Sequence, residues 1–366
     1  YGGAILLLAL RPGLDSIVLG WTLGAAVGCL LYLGAMLGGR TPGAGHPSSP
    51  RRTGSTGRPV LSLYRSVLVY SVPILASSVI TTSATYVDRL VLASVSDLSS
   101  LGFYTYALLI VAASAAAVGP FTTILLPRIS EHLGRNDRPA IRAVTRTAIT
   151  LIVLVYVPIA LGIAALGPFL LRFLVGAPFV QDSLPMAVLL ALAALAVPGI
   201  VLSALAAGVR RTPAVLRAAA FALAANAALS IALVPRVGIL GAALGNSAMY
   251  WGPLTVLYFE LRGSGLLAAD LRAISRIWLA SGAMALSVGI PLLLLGYPPM
   301  LAPPLVIVGI AVLLVGLKFL KAVPEEAAEF LLQVLPRRLG FLRPVVLWVA
   351  PRPEGGERET GVAPTG

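Results

Sequence analysis

The chain is divided into apolar stretches of one recurrent length. After a partial run over 1–10, they occupy about 16–37, 66–94, 101–126, 147–168, 184–208, 213–234, 238–259, 276–296 and 301–320. Each of the later runs holds about 20 residues or more, the length a helix rising 1.5 Å per residue needs to cross roughly 30 Å of hydrocarbon. Segments such as Leu151–Tyr156 and Ala191–Val197 do not alternate polar with apolar. The alternating strands of about ten residues found in membrane barrels are therefore excluded. The pattern predicts an all-α, polytopic membrane protein with about nine full transmembrane helices plus a partial one. Composition excludes the soluble alternative: 58% of residues are hydrophobic and 11% charged, against roughly 25% charged in ordinary globular domains.

The net charge of +13 resembles a nucleic-acid footprint until the basic residues are located. Of 27 Lys and Arg, 23 lie in alternate breaks: 38–65, 127–146, 209–217, 260–276 and the tail from Lys318. The remaining four are Arg11, Arg172 and Arg236 in the intervening breaks, and Arg89 near the end of its span. Cytoplasmic loops collect Lys and Arg, so this split predicts an orientation in the cytoplasmic membrane, with the C-terminus cytoplasmic. The charge then reads as contact with anionic membrane lipids, and no nucleic-acid partner is expected.

Segment 38–60 is rich in Gly, Pro, Ser and Thr and reads as a flexible linker. Two stretches read as interfacial helices: Ser130–Arg146, and Pro324–Val349, which opens with Glu325, Glu326 and Glu329 and later carries Arg337 and Arg338. Residues 351–366 read as a disordered tail. Cys29 reads as a small packing residue in an apolar run. The chain opens at Tyr1 inside an apolar run, which reads as the interior of a longer protein.

No G-x-x-x-x-G-K-[ST] loop is present. His46 and His132 fall in polar breaks without ligand partners, and no acid pair suited to glycosyl transfer lies inside a span. No catalytic residue, metal site or cofactor is expected. The exception to this plainness is Asp88-Arg89, late in the span 66–94, because charges at membrane depth default to a functional reading. On the same helix Ser78, Thr81, Thr82, Thr85 and Arg89 stand at i, i+3, i+4, i+7 and i+11, on one face. One reading is a cavity wall whose arginine fork grips an anion such as a phosphate. The other is an interfacial pair, with the arginine snorkelling and the hydroxyls bonded back to helix carbonyls. Asn226 is an amide deep in its span, read as helix glue or cavity lining. Gly20, Gly24 and Gly28, and again Gly241 and Gly245, provide smooth faces for close packing. Pro73, Pro120, Pro158, Pro198, Pro253 and Pro291 predict kinks.

Several stretches carry a family resemblance. The sequence Asn226-x8-Pro235-Arg236-Val237-Gly238-Ile239-Leu240-Gly241-Ala242-Ala243 resembles a signature of polysaccharide-type flippases. These belong to the multidrug/oligosaccharidyl-lipid/polysaccharide exporter superfamily. Pro73 with Asp88, Leu101-Gly102-Phe103-Tyr104-x-x-Ala107, Leu126-Pro127-Arg128-Ile129-Ser130-Glu131 and Ala207-Gly208-x-x-Arg211-Thr212-Pro213 agree with it in order.

The resemblance implies two six-helix lobes around a central cavity. On that scheme 1–37 ends the first lobe, 38–65 is the cytoplasmic inter-lobe linker, and 66–260 is the second lobe. Residues 261–320 would be two additional helices, and 321–366 a cytoplasmic amphipathic segment and tail. The first four helices and part of the fifth would lie upstream. The implied function is flipping a lipid-linked oligosaccharide, carried on polyprenyl pyrophosphate, for polysaccharide export by alternating access. Arg89, Asp88, Thr85, Thr82, Thr81, Ser78 and Asn226 are the substrate-cavity candidates. Polysaccharide-assembly glycosyltransferases are the candidate protein partners. Two rival readings remain: an integral membrane glycosyltransferase or polymerase, for which the breaks on the outer side are short, and a drug or cation exporter of the same superfamily, for which cavity acids other than Asp88 are lacking.

Overall fold

The computed structural model of the chain describes residues 60–295, 299–324, 326–328, 332 and 343–349. The expectations for 1–37, for the linker, for Cys29 and His46 and for the tail 351–366 lie outside the described residues, as does most of 325–342.

With no water in the hydrocarbon layer, every backbone polar group must be paired within the chain, and helices do this locally. The described residues accordingly contain helices and no strand. In chain order these are α1 (Val60–Val95), α2 (Leu98–Ala115), α3 (Gly119–Gly134), α4 (Arg138–Ala165), α5 (Gly167–Leu174), α6 (Ser183–Ala196) and α7 (Pro198–Gly208). They continue as α8 (Thr212–Val237), α9 (Ile239–Leu261), α10 (Leu271–Leu294), α11 (Ala302–Phe319) and α12 (Arg343–Val349). Among the described residues six helices are long and apolar enough to cross a membrane, and the pair α6 and α7, bent by 42°, makes up to seven. Helix α9 has 23 residues but spends part of its length on Gly, Asn, Ser, Tyr and Trp, and falls outside that set. The fold is that of an all-α, multi-pass membrane protein.

The prolines act in two ways. Pro198 stands at the bend between α6 and α7, and Pro120 occupies the first turn of α3 after the short 3-10 segment Ala116–Val118. Pro73, Pro158, Pro253 and Pro291 sit inside continuous helices.

One expectation is corrected. Ser130–Arg146 is not a separate interfacial helix. Helix α3 ends at Gly134, the chain turns at Asn136 (φ 55°), and α4 starts at Arg138 and runs for 28 residues. The cause is local. The Asp137 carboxylate accepts the Ala140 N–H at 3.0 Å and caps α4, and Pro139 suits the first turn of a helix. The three arginines 138, 142 and 146 therefore extend the apolar span at its polar end.

Helices α8 and α9 form the most extensive helix pair, joined at Gly238 (φ 57°), and α8 packs next on α1. Helix α9 also touches α6 and α7, α4 lies on α6, and α10 bridges α4 and α11. The core is built from small and aliphatic side chains, among them Leu92, Ile129, Ile152, Leu190, Leu205 and Leu257. At one end, ion pairs join distant elements: Arg146 with Asp270 and Arg217 with Glu260. Arg211 donates to the Glu260 carbonyl and Arg276 to the Lys321 carbonyl, so the basic end of the bundle is stitched together. At Asp270, which caps α10, the Ala273 N–H and then Arg146 hold the carboxyl below its ordinary value of 3.8. The connection after α5 is held by aromatic edges, with Phe179 against Phe103 and Tyr106 of α2.

Candidate functional site

The sequence candidates divide between two faces of α1. Ser77, Ala84, Asp88 and Leu92 form the buried face. Ser78, Thr81 and Thr82 lie on the exposed face, with Thr85 and Arg89 at its margin. The polar stripe and the buried acid are therefore not one cluster.

On the buried side, Asp88 has no solvent exposure (0%). Its Oδ2 accepts the Tyr104 hydroxyl of α2 at 2.5 Å and the Asn246 amide of α9 at 3.2 Å, while Oδ1 is buried without a partner. The Tyr104 oxygen also lies 3.2 Å from the Ala242 carbonyl. One turn earlier on α1, the Asn226 amide of α8 donates to the Ala84 carbonyl at 2.9 Å, and its Oδ1 accepts Ser230 at 3.0 Å. Asn226 is thus helix glue, one of the two readings its sequence position left open. Tyr104, Asn246 and Ser230 complete this polar knot, and residue-type reasoning had assigned none of them a role. Asn246 could have been found, since it is the amide of its apolar run and lies next to Gly245. Tyr104 sits in the Leu101–Ala107 motif but is aromatic, and aromatic residues are ordinarily core.

Close approach of α9 to α8 is what makes the knot fit. A Cβ on Gly241 would stand 2.5 Å from the Leu233 backbone, and one on Gly252 2.6 Å from the Ala222 side chain. Gly245 faces Asn226 and Ser230 directly. The Gly241/Gly245 spacing is therefore a packing seam.

On the exposed side, Ser78 donates to the Ile74 carbonyl at 3.0 Å and Thr85 to the Thr82 carbonyl at 2.6 Å. Arg89 does not pair with Asp88, because adjacent helical residues point about 100° apart. Its guanidinium lies 5.5 Å from the Tyr86 ring centroid, and its Nε is buried without a partner. Tyr86 itself is exposed, so the cation and the ring share the margin of the open face. Ser78 and Thr85 thus spend their O–H on their own helix, and the donors left on this face are the Thr81 and Thr82 hydroxyls and the marginal guanidinium, set among exposed Leu75, Val79 and Leu90. These donors suit an anionic, hydroxylated ligand.

Comparison with known proteins places this architecture. The family model described as lipid II flippase MurJ matches residues 3–308. The solved structure of a lipid II flippase MurJ in an inward closed conformation is 18% identical, with a TM-score of 0.59, over 91% of this chain and 66% of that one. This chain thus spans slightly under two thirds of the length of that structure. An outward-facing multidrug resistance MATE family transporter of the MOP superfamily is also 18% identical, with a TM-score of 0.46, over 77% and 68% of the two chains. No curated protein matches. The flippase reading of the motifs stands, but the family found is named for lipid II, and the matches do not name the polysaccharide-type branch. With the model covering most of its length, the chain belongs to the MurJ family of lipid II flippases.

Proposed function

We propose that this chain works as part of a flippase that moves a polyprenyl-pyrophosphate-linked glycan across the cytoplasmic membrane, with the exposed polar face of α1 lining the path. The observation that carries this is the position of Ser78, Thr81 and Thr82 on an open helix face ending at the partner-poor Arg89, within a bundle of apolar spans. A lipid tail can stay in the bilayer while hydroxyls and a guanidinium receive the sugar and phosphate head. Alternating exposure of this face to the two sides would complete transport. The family name favours lipid II as the substrate over an oligosaccharide for polysaccharide export, and both carry the same class of head group. The basic end, rich in arginine, faces the cytoplasm in this reading, as does the C-terminus.

The rival readings gain little. A cation exporter needs an acid open to its cavity, whereas Asp88 is enclosed and already accepts two hydrogen bonds. The glycosyltransferase reading has no support from the family assignment.

The test is complementation of a strain depleted of its lipid II flippase, using the natural full-length protein. Wild type should restore growth, and Arg89→Ala should abolish rescue at normal membrane levels. Rescue by Arg89→Ala would remove the arginine from the path. Failure of wild type, combined with rescue of a polysaccharide-export mutant, would move the substrate to the oligosaccharide class.

A further inference from the structure

A cleft of about 410 Å³ opens at the basic end of the bundle, away from both faces of α1 described above. Three connections enclose it: the turn between α3 and α4, the turn between α7 and α8, and the segment after α9. Its walls include Leu133, Asn136, Arg138, Arg211, Ser264 and Leu266.

The charges around the cleft are unevenly satisfied. Glu131 is paired with Arg135, and Glu260 with Arg217. Asp137 accepts the N–H of Ala140 as a helix cap, and Asp270 pairs with Arg146. Glu131, Glu260 and Asp270 are thus paired with other arginines, while Asp137 caps α4 through one oxygen. Arg211 spends one guanidinium nitrogen on the Glu260 carbonyl and has further donors left. No carboxylate among the described residues pairs with Arg138. Arg138 and Arg211 therefore line one small cleft whose wall contains no carboxylate. Like charges brought together in this way repel, and an anion between them removes that cost.

We infer that this cleft binds a phosphate-bearing anion, held by Arg138 and Arg211 with the Asn136 amide beside them. A guanidinium fork matches the oxygens of a phosphate. The volume falls within the roughly 300–1,000 Å³ of small-ligand sites. Leu133, Ile141, Val209 and Leu266 give the cleft apolar flanks, which suit the glycerol and first methylenes of a phospholipid. The phosphate comes either from an anionic lipid headgroup of the adjacent leaflet or from a soluble phosphate compound. Either would clamp three connections that, among the described residues, share no backbone hydrogen bond with one another.

The test uses the whole chain in phosphatidylcholine nanodiscs, with and without phosphatidylglycerol, and with inorganic pyrophosphate as the soluble probe. The readouts are native mass spectrometry of bound lipid and the thermal midpoint. The expected result is retained phosphatidylglycerol on wild type and about a tenfold or greater loss of affinity in Arg138→Gln, as removal of a charge-assisted contact gives. Arg272→Gln removes an equal charge from the same end at an exposed position outside the cleft, and should retain the lipid. Asn136→Asp adds a negative charge inside the cleft at a left-handed position that Asp tolerates, and should lose it. Competition by pyrophosphate, with binding in pure phosphatidylcholine, would assign the soluble source; its absence would assign the lipid. Equal loss in Arg138→Gln and Arg272→Gln would overturn the site in favour of diffuse surface attraction. No loss in Arg138→Gln or Asn136→Asp would overturn it outright.

Discussion

The Tyr104 hydroxyl donates to the Asp88 carboxylate at 2.5 Å, so two residues sixteen positions apart on consecutive helices share a proton contact that is wholly buried. Replacing Tyr104 with Phe removes that donor and leaves Asn246 as the side-chain partner of the acid among the described residues. Losing one of two hydrogen bonds costs about 0.5–1.5 kcal/mol, and up to about 3 kcal/mol where the acceptor is charged. Tyr104→Phe should lower the thermal midpoint in nanodiscs, while Tyr106→Phe, on the exposed side of the same helix, should leave it near wild type. Equal midpoints for the two variants would show that the hydroxyl contributes nothing.

The α8–α9 seam yields a steric prediction. A leucine at Gly245 would push into Ser230 and the Asn226 Oδ1, whereas an alanine at Gly282 of α10 meets nothing within 4 Å. Gly245→Leu should abolish folded protein in size-exclusion profiles, and Gly282→Ala should fold like wild type. Overpacking of this kind typically costs about 1–3 kcal/mol or more. A monodisperse Gly245→Leu protein would mean that the seam can open.

Asp270 gives a pH dependence. Its carboxyl is held low by the Ala273 N–H and then by Arg146. A depressed carboxylate stabilises the fold above its unfolded value and loses that contribution as pH falls through the folded value. The loss therefore occurs below about pH 4. Asp270→Asn keeps a good cap but removes the charge, so its deficit relative to wild type should be present at pH 7 and shrink as pH falls below about 4. The deficit should be small, because Arg146 is 45% exposed at its side chain. A gap that widens on acidification would reverse the sign.

Orientation can be read by labelling. In a Cys29→Ala background, Asn136→Cys at the basic end should react with a membrane-permeant maleimide in whole cells and stay silent to an impermeant one. Reaction with the impermeant reagent would turn the molecule over.

Much of the helical layout is legible in the apolar run lengths, because the membrane requires about the same number of residues each time. Boundaries at polar ends are less legible. Ser130–Arg146 reads as a surface helix by its charges, yet the cap at Asp137 divides it and gives its second half to a span. The site is legible only in part. Spacing on α1 identifies a polar stripe, but it cannot say that Asp88, one residue from Arg89, turns inward while the stripe turns outward. That choice is made by Tyr104 and Asn246 on other helices, and their contact with α1 is tertiary. Asn226 is visible as an unusual amide, but its partner is a backbone carbonyl, which no residue type announces.

The glycine seam between α8 and α9 also has a mechanical meaning. Where backbone lies on backbone, few long side chains remain to flex, and the two helices behave as one plate. That plate grips α1 at two rungs one turn apart, Asn226 on the Ala84 carbonyl and Asn246 on Asp88. A piston-like slip of α1 would have to release both grips in the same step, whereas a rotation that carries the plate along would release neither.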